Sequence, residues 1–245
     1  MKVNEKKTVL VISGLDPSGH AGIVVDIETV VNLKHHPCAI VSTSTIQNNE
    51  KVTGAYVIDD VIFNEQLQIV IENNSIHAVK IGLLISRKTA QIIVSCVEKM
   101  NIPVVYDPVY QASSGYYFTD KDTFLSIAEE LSKVTRLITP NRLEAETLGN
   151  MTIGNESHFA EAAARITYKN ILIKGGHFEK KNRDFLYREG QSEWIEGSNN
   201  PLLISRGTGC RLSTAIACFL ADNQPLDQSI IKAKDYLEVR FSSRA

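Results

Sequence analysis

The sequence predicts an open, doubly wound, mostly parallel α/β sheet with helices on both faces and antiparallel strands closing one edge, in a single domain over residues 1–245. Three observations carry this expectation. Short β-branched runs alternate with segments of helical period, the alternation stops after Lys174, and two apolar helical patterns finish the chain. With 245 residues, 43% hydrophobic and 22% charged, the chain can bury one full core and does not have the composition of a disordered, collagenous or coiled-coil protein.

The elements follow in order. Strands are expected at 8–13, 38–45, 78–83, 102–107, 136–139 and 171–174, with a helical segment between most of them. The first helix should run from the glycine-rich stretch after Ser13 to about Leu33. The clearest helix starts at Ser86, an expected N-cap, and carries Ala90, Ile93, Val94 and Val97 on one face before Asn101 and Pro103 end it. Between Gly175 and Arg206 the pattern changes to short strand-like pieces at 185–188, 193–195 and 202–205, separated by Gly, Asn and Asp turns. That change of rhythm argues against an eightfold β/α barrel of similar length. Helices over 208–221 and 226–240 complete the chain.

The charge balance of 26 Lys+Arg against 28 Asp+Glu, a net −2, gives no electrostatic footprint for nucleic acid or an anionic membrane, so a small-molecule partner is expected. The apolar run after Lys7 is far shorter than a signal-peptide core or a membrane span, which points to the cytoplasm. Cys38, Cys96, Cys210 and Cys218 form no C-x-x-C pair, so neither a zinc ribbon nor a disulfide framework is expected. Three formal glycosylation sequons, at Asn73, Asn150 and Asn155, should go unused.

Three stretches carry chemistry. The first, Gly14-Leu15-Asp16-Pro17-Ser18-Gly19-His20-Ala21-Gly22, is a strand-to-helix turn that lets a ligand approach backbone. It is not a P-loop, because His20 and Ala21 stand where Lys and Ser/Thr are needed. Nor is it a dinucleotide fingerprint, because Asp16 occupies the second glycine. The second, Gly207-Thr208-Gly209-Cys210, opens an apolar helix, so its amides can gather an oxyanion or a transferring phosphoryl group. A thiol in a first helical turn is expected to ionise more easily, and the Cys210 thiolate would then accept a proton from a substrate hydroxyl. The third set is dispersed: Asp107, Glu144 and Lys174 fall at or just after strand ends, which converge on the ligand crevice of an open parallel sheet. Two carboxylates can share a hydrated Mg²⁺, and a lysine can neutralise phosphate. Each stretch also has a plainer reading, as an ordinary turn, a cysteine packed as a small hydrophobe, or solvated strand-end charges. Their joint occurrence in order favours the chemical one.

That ordered set resembles the hydroxymethylpyrimidine/phosphomethylpyrimidine kinases of thiamine biosynthesis, within the ribokinase-like superfamily. Besides the stretches above, the matching pieces are Asp26, Gln47-Asn48, Lys80-Ile81-Gly82, Asp107-Pro108-Val109, Thr139-Pro140-Asn141 with Glu144, and Lys174-Gly175-Gly176-His177. The resemblance implies transfer of the γ-phosphoryl group of ATP, with Mg²⁺, to the hydroxymethyl of the pyrimidine and then to the resulting monophosphate. It implies pyrimidine contacts from Gly14, Asp26, Gln47 and Val109, an anion hole at Gly207, Thr208, Gly209 and Cys210, and Cys210 as the base. It further implies Mg²⁺ organised by Asp107 and Glu144, and ATP contacts from Lys174, Asn141 and Lys234. A homodimer is compatible with it. The chain departs from the family pattern at His20, where glycine is usual, at Arg206, where histidine is usual, and at Arg211, where a small hydroxyl residue is usual. The alternatives are a pyridoxal kinase of the same fold and a catalytically silent pyrimidine-binding protein.

Overall fold

Alternation along the first strand sets the architecture. In β1 (Thr8–Leu15), Val9 and Val11 point to one side and Leu10 and Ile12 to the other, and all four are wholly buried, as in a strand covered on both faces. The computed structural model describes residues 6–175, 183–197, 203–204 and 206–242. Its nine strands form one sheet in the order β3-β2-β1-β4-β5-β6-β7-β8-β9. The parallel centre consists of β2 (His36–Gln47), β1, β4 (Ile76–Ile81), β5 (Val104–Tyr106), β6 (Leu137–Ile138) and β7 (Asn170–Ile173).

On the Val9 face lie α1 (Gly22–Asn32), α7 (Thr208–Ala221) and α8 (Leu226–Phe241). The Leu10 face is covered by α2 (Asp60–Asn73), α3 (Arg87–Val97), α4 (Lys121–Leu131), α5 (Arg142–Gly149) and α6 (Ser157–Arg165). Helices therefore occupy both faces, as expected. Ser86 caps α3 by accepting from the Thr89 amide at 3.3 Å, and Ala90, Ile93, Val94 and Val97 form its buried stripe.

Antiparallel strands close both edges rather than one. At the expected edge, β8 (Arg183–Arg188) pairs with β7, and β9 (Gln191–Glu196) pairs with β8. At the other edge, β3 (Val52–Val57) pairs with β2. The six residues of β3 include Gly54 and leave Tyr56 and Val57 exposed, so no apolar run marks them and pairing with β2 makes them a strand. Of the third expected piece, 202–205, Leu202 and Ser205 lie outside the described residues. Leu203 is not in the sheet, and its amide donates to the Phe241 carbonyl at the end of α8.

The strand order reverses between β1 and β4. From β1 the chain crosses to β2 on one side and later returns to place β4 on the other, which leaves a crevice above the carboxyl ends of these strands.

Candidate active site

A cavity of about 370 Å³ opens at that reversal. The ends of β1, β4 and β5 supply Gly14, Leu83 and Asp107, and the start of α7 supplies Gly207, Thr208, Gly209 and Cys210. Val109, Gln47, Asn141, Glu144 and Lys174 complete the set of expected residues on its wall.

Backbone packing explains the glycines. Gly22 has φ +62°, and a Cβ there would fall 2.2 Å from the Gly14 carbonyl oxygen, so the loop folds back against its own strand. Gly207 has φ +72°, and a Cβ would fall 2.3 Å from the His20 carbonyl oxygen. Two loops distant in sequence therefore touch through backbone, and α7 begins at the cavity because of it. The His20 ring is exposed, with Nδ1 3.3 Å from Ser18 Oγ, and does not crowd the cavity.

The first turn of α7, a 14-residue helix whose leading amides have no intrahelical acceptor, lines the cavity, an arrangement that attracts anions. Lys174 Nζ sits against it, 3.1 Å from where a Cβ on Gly209 would be, and bonds Asp107 Oδ1 at 2.5 Å. Asp107 also accepts from Thr139 Oγ1 at 3.3 Å. Burial pushes the Asp107 carboxyl up, but Lys174, Lys80 and Thr139 outweigh it and hold it below the usual range. Glu144 closes a capping box on α5: its Oε2 accepts from the Asn141 amide at 2.7 Å while Asn141 Oδ1 accepts from the Glu144 amide at 2.9 Å. Its Oε1 accepts from the Tyr110 amide at 3.3 Å. Burial dominates here, and with Asp107 nearby it raises the Glu144 carboxyl to about 7, against the pull of Lys174.

Among the described residues no cluster of three or more His, Cys, Asp or Glu is arranged to hold a metal. Two carboxylates on one cavity wall nonetheless fit Mg²⁺, which keeps several waters and takes one or two carboxylates together with substrate phosphates.

Two expected residues, Asp26 and Lys234, lie off the cavity wall, and a third, Cys210, is shifted opposite to the expected direction. Asp26 is wholly buried behind the cavity, not on its wall. Its Oδ2 accepts from Lys80 Nζ at 2.7 Å and its Oδ1 from Thr214 Oγ1 at 2.7 Å, so both oxygens are engaged within the fold. Lys234 is also off the cavity: its ammonium is buried against Asp184 Oδ2 of β8, and Asp184 Oδ1 accepts from the Gly175 amide at 3.0 Å. For Cys210, burial pushes the thiol up to about 11, reinforced by Asp26 and Asp107. Lys80 and the Gly22 amide oppose this without overturning it, so the helix start does not leave a thiolate at neutral pH. Arg211 is off the cavity wall: its Nη2 donates to Glu28 at 2.7 Å, its guanidinium lies over the Phe241 ring, and its Nη1 packs against Gly207, 2.7 Å from where a Cβ there would be. His177 and Gly176 lie outside the described residues.

Three residues gain importance. Asp16, which breaks the glycine fingerprint, lines the cavity with its Oδ1 accepting from the Ser18 amide and hydroxyl at 2.8 and 2.6 Å. Arg206 lines it too. Lys80 is the third: a lysine inside the apolar run Ala78-Val79-Lys80-Ile81 requires a buried counter-ion, which Asp26 supplies.

Fold and site together put the chain in the ribokinase-like class. The sequence profile of the phosphomethylpyrimidine kinase family matches residues 16–244, and the chain belongs to that family. A hydroxymethylpyrimidine/phosphomethylpyrimidine kinase of Rhizobium meliloti is 32% identical, over 96% of this chain and 90% of the relative. The thiamine biosynthesis bifunctional protein ThiED of Geobacter sulfurreducens is also 32% identical, over 94% of this chain, which spans 48% of that longer protein. Among solved structures, a phosphomethylpyrimidine kinase of Clostridium difficile superposes with a TM-score of 0.81 at 28% identity, covering 96% of this chain and 99% of its own. A Bacillus subtilis pyridoxal kinase in complex with ADP gives 0.84 at 24% identity, over 95% of this chain and 90% of its own, a likeness of fold.

Proposed function

We propose that the chain transfers the γ-phosphoryl group of ATP to the hydroxymethyl group of 4-amino-5-hydroxymethyl-2-methylpyrimidine and then to the resulting monophosphate, in thiamine biosynthesis. The observation that carries this reading is the convergence, in one cavity of a chain that matches the family over residues 16–244, of the α7 amides, Lys174, and the carboxylates of Asp107 and Glu144. No helix among the described residues is long and apolar enough to cross a membrane; a cytoplasmic enzyme is part of the proposal.

Phosphoryl transfer asks a protein mainly for positioning and for cations and N–H donors around anionic oxygens. Gln47, Gly14 and Val109 orient the ring, so that the hydroxymethyl oxygen faces the first turn of α7. That oxygen attacks the γ-phosphorus, the bond to the β-phosphate oxygen breaks, and ADP leaves. The amides of Thr208, Gly209 and Cys210 with the Lys174 ammonium hold the charge on the transferring group. Mg²⁺ held by Asp107 and Glu144 would neutralise the ATP phosphates. Cys210 Sγ accepts the hydroxyl proton in the alcohol step. Its raised thiol makes it a scarce but strong base, suited to a loose transition state in which the attacking O–H bond breaks late.

A coupled ADP-release assay with Mg²⁺ and either the pyrimidine alcohol or pyridoxal tests the reading. ADP release with the pyrimidine is expected. Turnover of pyridoxal alone would assign the pyridoxal kinase activity instead, and tight pyrimidine binding without ADP release would make the chain a binding protein.

A further inference from the structure

The second transfer poses a charge problem that the alcohol step does not. A phosphorylated acceptor brings about −1.5 to −2 of charge at neutral pH. It would enter a cavity that already holds the carboxylates of Asp16, Asp107 and Glu144 and that must accommodate the donor phosphates as well. Lys174 is already bonded to Asp107 at 2.5 Å and seated against Gly209, where the reading above gives it to the transferring group. With Mg²⁺ assigned to the donor phosphates, a second protein cation on the cavity wall would favour an acceptor phosphate.

Of the two arginines that flank Gly207 to Cys210, one is available. Arg211 is buried, paired with Glu28 and packed over Phe241. Arg206 lines the cavity beside Gly207 and is partly exposed. Its Nη1 donates to the Asn48 carbonyl at 3.2 Å, and its Nη2 lies 3.7 Å from Asp16 Oδ2, outside hydrogen-bond range. Although burial pushes it up, the Asp16 carboxylate, held below its ordinary range by Ser18 and Gln47 hydrogen bonds and by the Arg206 charge, keeps the guanidinium at the cavity wall by attraction across 3.7 Å rather than by a close hydrogen bond. A guanidinium carries five N–H groups in a planar fork, enough to take a phosphate on two of them while keeping the Asn48 contact.

We propose that Arg206 is a specificity residue for the phosphorylated acceptor: its guanidinium, at the cavity wall beside the anion hole, binds the acceptor's phosphate in the second transfer. This rests on the kinase reading above. Steady-state kinetics of Arg206→Ala, Arg206→Gln and Arg206→Lys, with the pyrimidine alcohol and its monophosphate as acceptors at saturating ATP and Mg²⁺, tests it. For Arg206→Ala and Arg206→Gln, kcat/KM for the monophosphate should fall at least about tenfold further than kcat/KM for the alcohol, chiefly through KM, with Arg206→Lys intermediate. Equal losses for both acceptors, or an unchanged KM for the monophosphate, would overturn the proposal, as would a wild-type chain that uses only the alcohol. If the wild type uses neither acceptor, the kinase reading fails first and this one with it.

Discussion

Two buried lysine–aspartate pairs flank Cys210 and have opposite consequences. Lys80 and Asp26 are wholly enclosed at 2.7 Å, and Thr214, one turn into α7 from Cys210, takes the second oxygen of Asp26. This pair ties β4 and α1 to α7 and so determines where the anion-binding turn sits. Lys174 and Asp107 form the same kind of pair at 2.5 Å, but both line the cavity. Pairing satisfies a buried charge in either place; only the pair with an open side can meet a ligand. Burial of a charged residue thus marks its importance, and access to the cavity decides whether that importance is structural or chemical.

The sharpest way to break this comparison is Lys80→Met. Leaving Asp26 buried without its cation should destabilise the protein by about 3–5 kcal/mol in urea unfolding, and adding Asp26→Leu should recover much of that loss. A cost below about 1 kcal/mol would mean the enclosed pair is no anchor. Next comes Glu144, whose folded-state carboxyl is raised to about 7 from the ordinary 4.5. A raised carboxyl holds its proton more tightly in the folded state, so the unfolded chain binds fewer protons between these values. Stability should therefore fall by roughly 3 kcal/mol as pH rises from about 4.5 to 7, then level off. Glu144→Gln should lack that fall in unfolding curves taken at pH 5 and 8.

At the cavity itself, Cys210→Ala should lower kcat for the alcohol about 10²-fold at pH 7 with little loss of stability. Because the thiol is raised to about 11, the thiolate fraction grows with pH, so wild-type kcat should climb between pH 7 and 9 while that of the variant stays flat. A flat wild-type profile would remove Cys210 from the proton transfer. The smallest effect belongs to Lys174→Ala, where water in the cavity can replace the ammonium beside Asp107. About a tenfold rise in KM for ATP is expected, with a stability loss well under that of Lys80→Met. If the two lysine variants lose the same stability, the distinction between enclosed and open pairs falls.

Much of the frame was readable without coordinates. Alternating β-branched runs and helical stripes marked the six parallel strands and the faces of α3 and α7, because burial on a sheet leaves a periodic trace. Strand β3 left none, since an edge strand with Gly54 and exposed side chains owes its state to its neighbour. Within the site, residues at strand ends and at the α7 start were recognisable by position. Nothing local to the sequence of Asp26 and Lys234 reveals their partners Lys80 and Asp184, which lie 54 and 50 residues away.

By itself the sequence determined the layered α/β class, the glycine turn at Gly207, and which residue types stand at the strand ends, because these depend on local periodicity and backbone freedom. Only the tertiary structure decided which charges meet each other and which meet the cavity, and hence that the Cys210 thiol is raised rather than lowered. The physical reason is that desolvation and long-range pairing depend on what packs around a group in space, and neither is written in its neighbours along the chain.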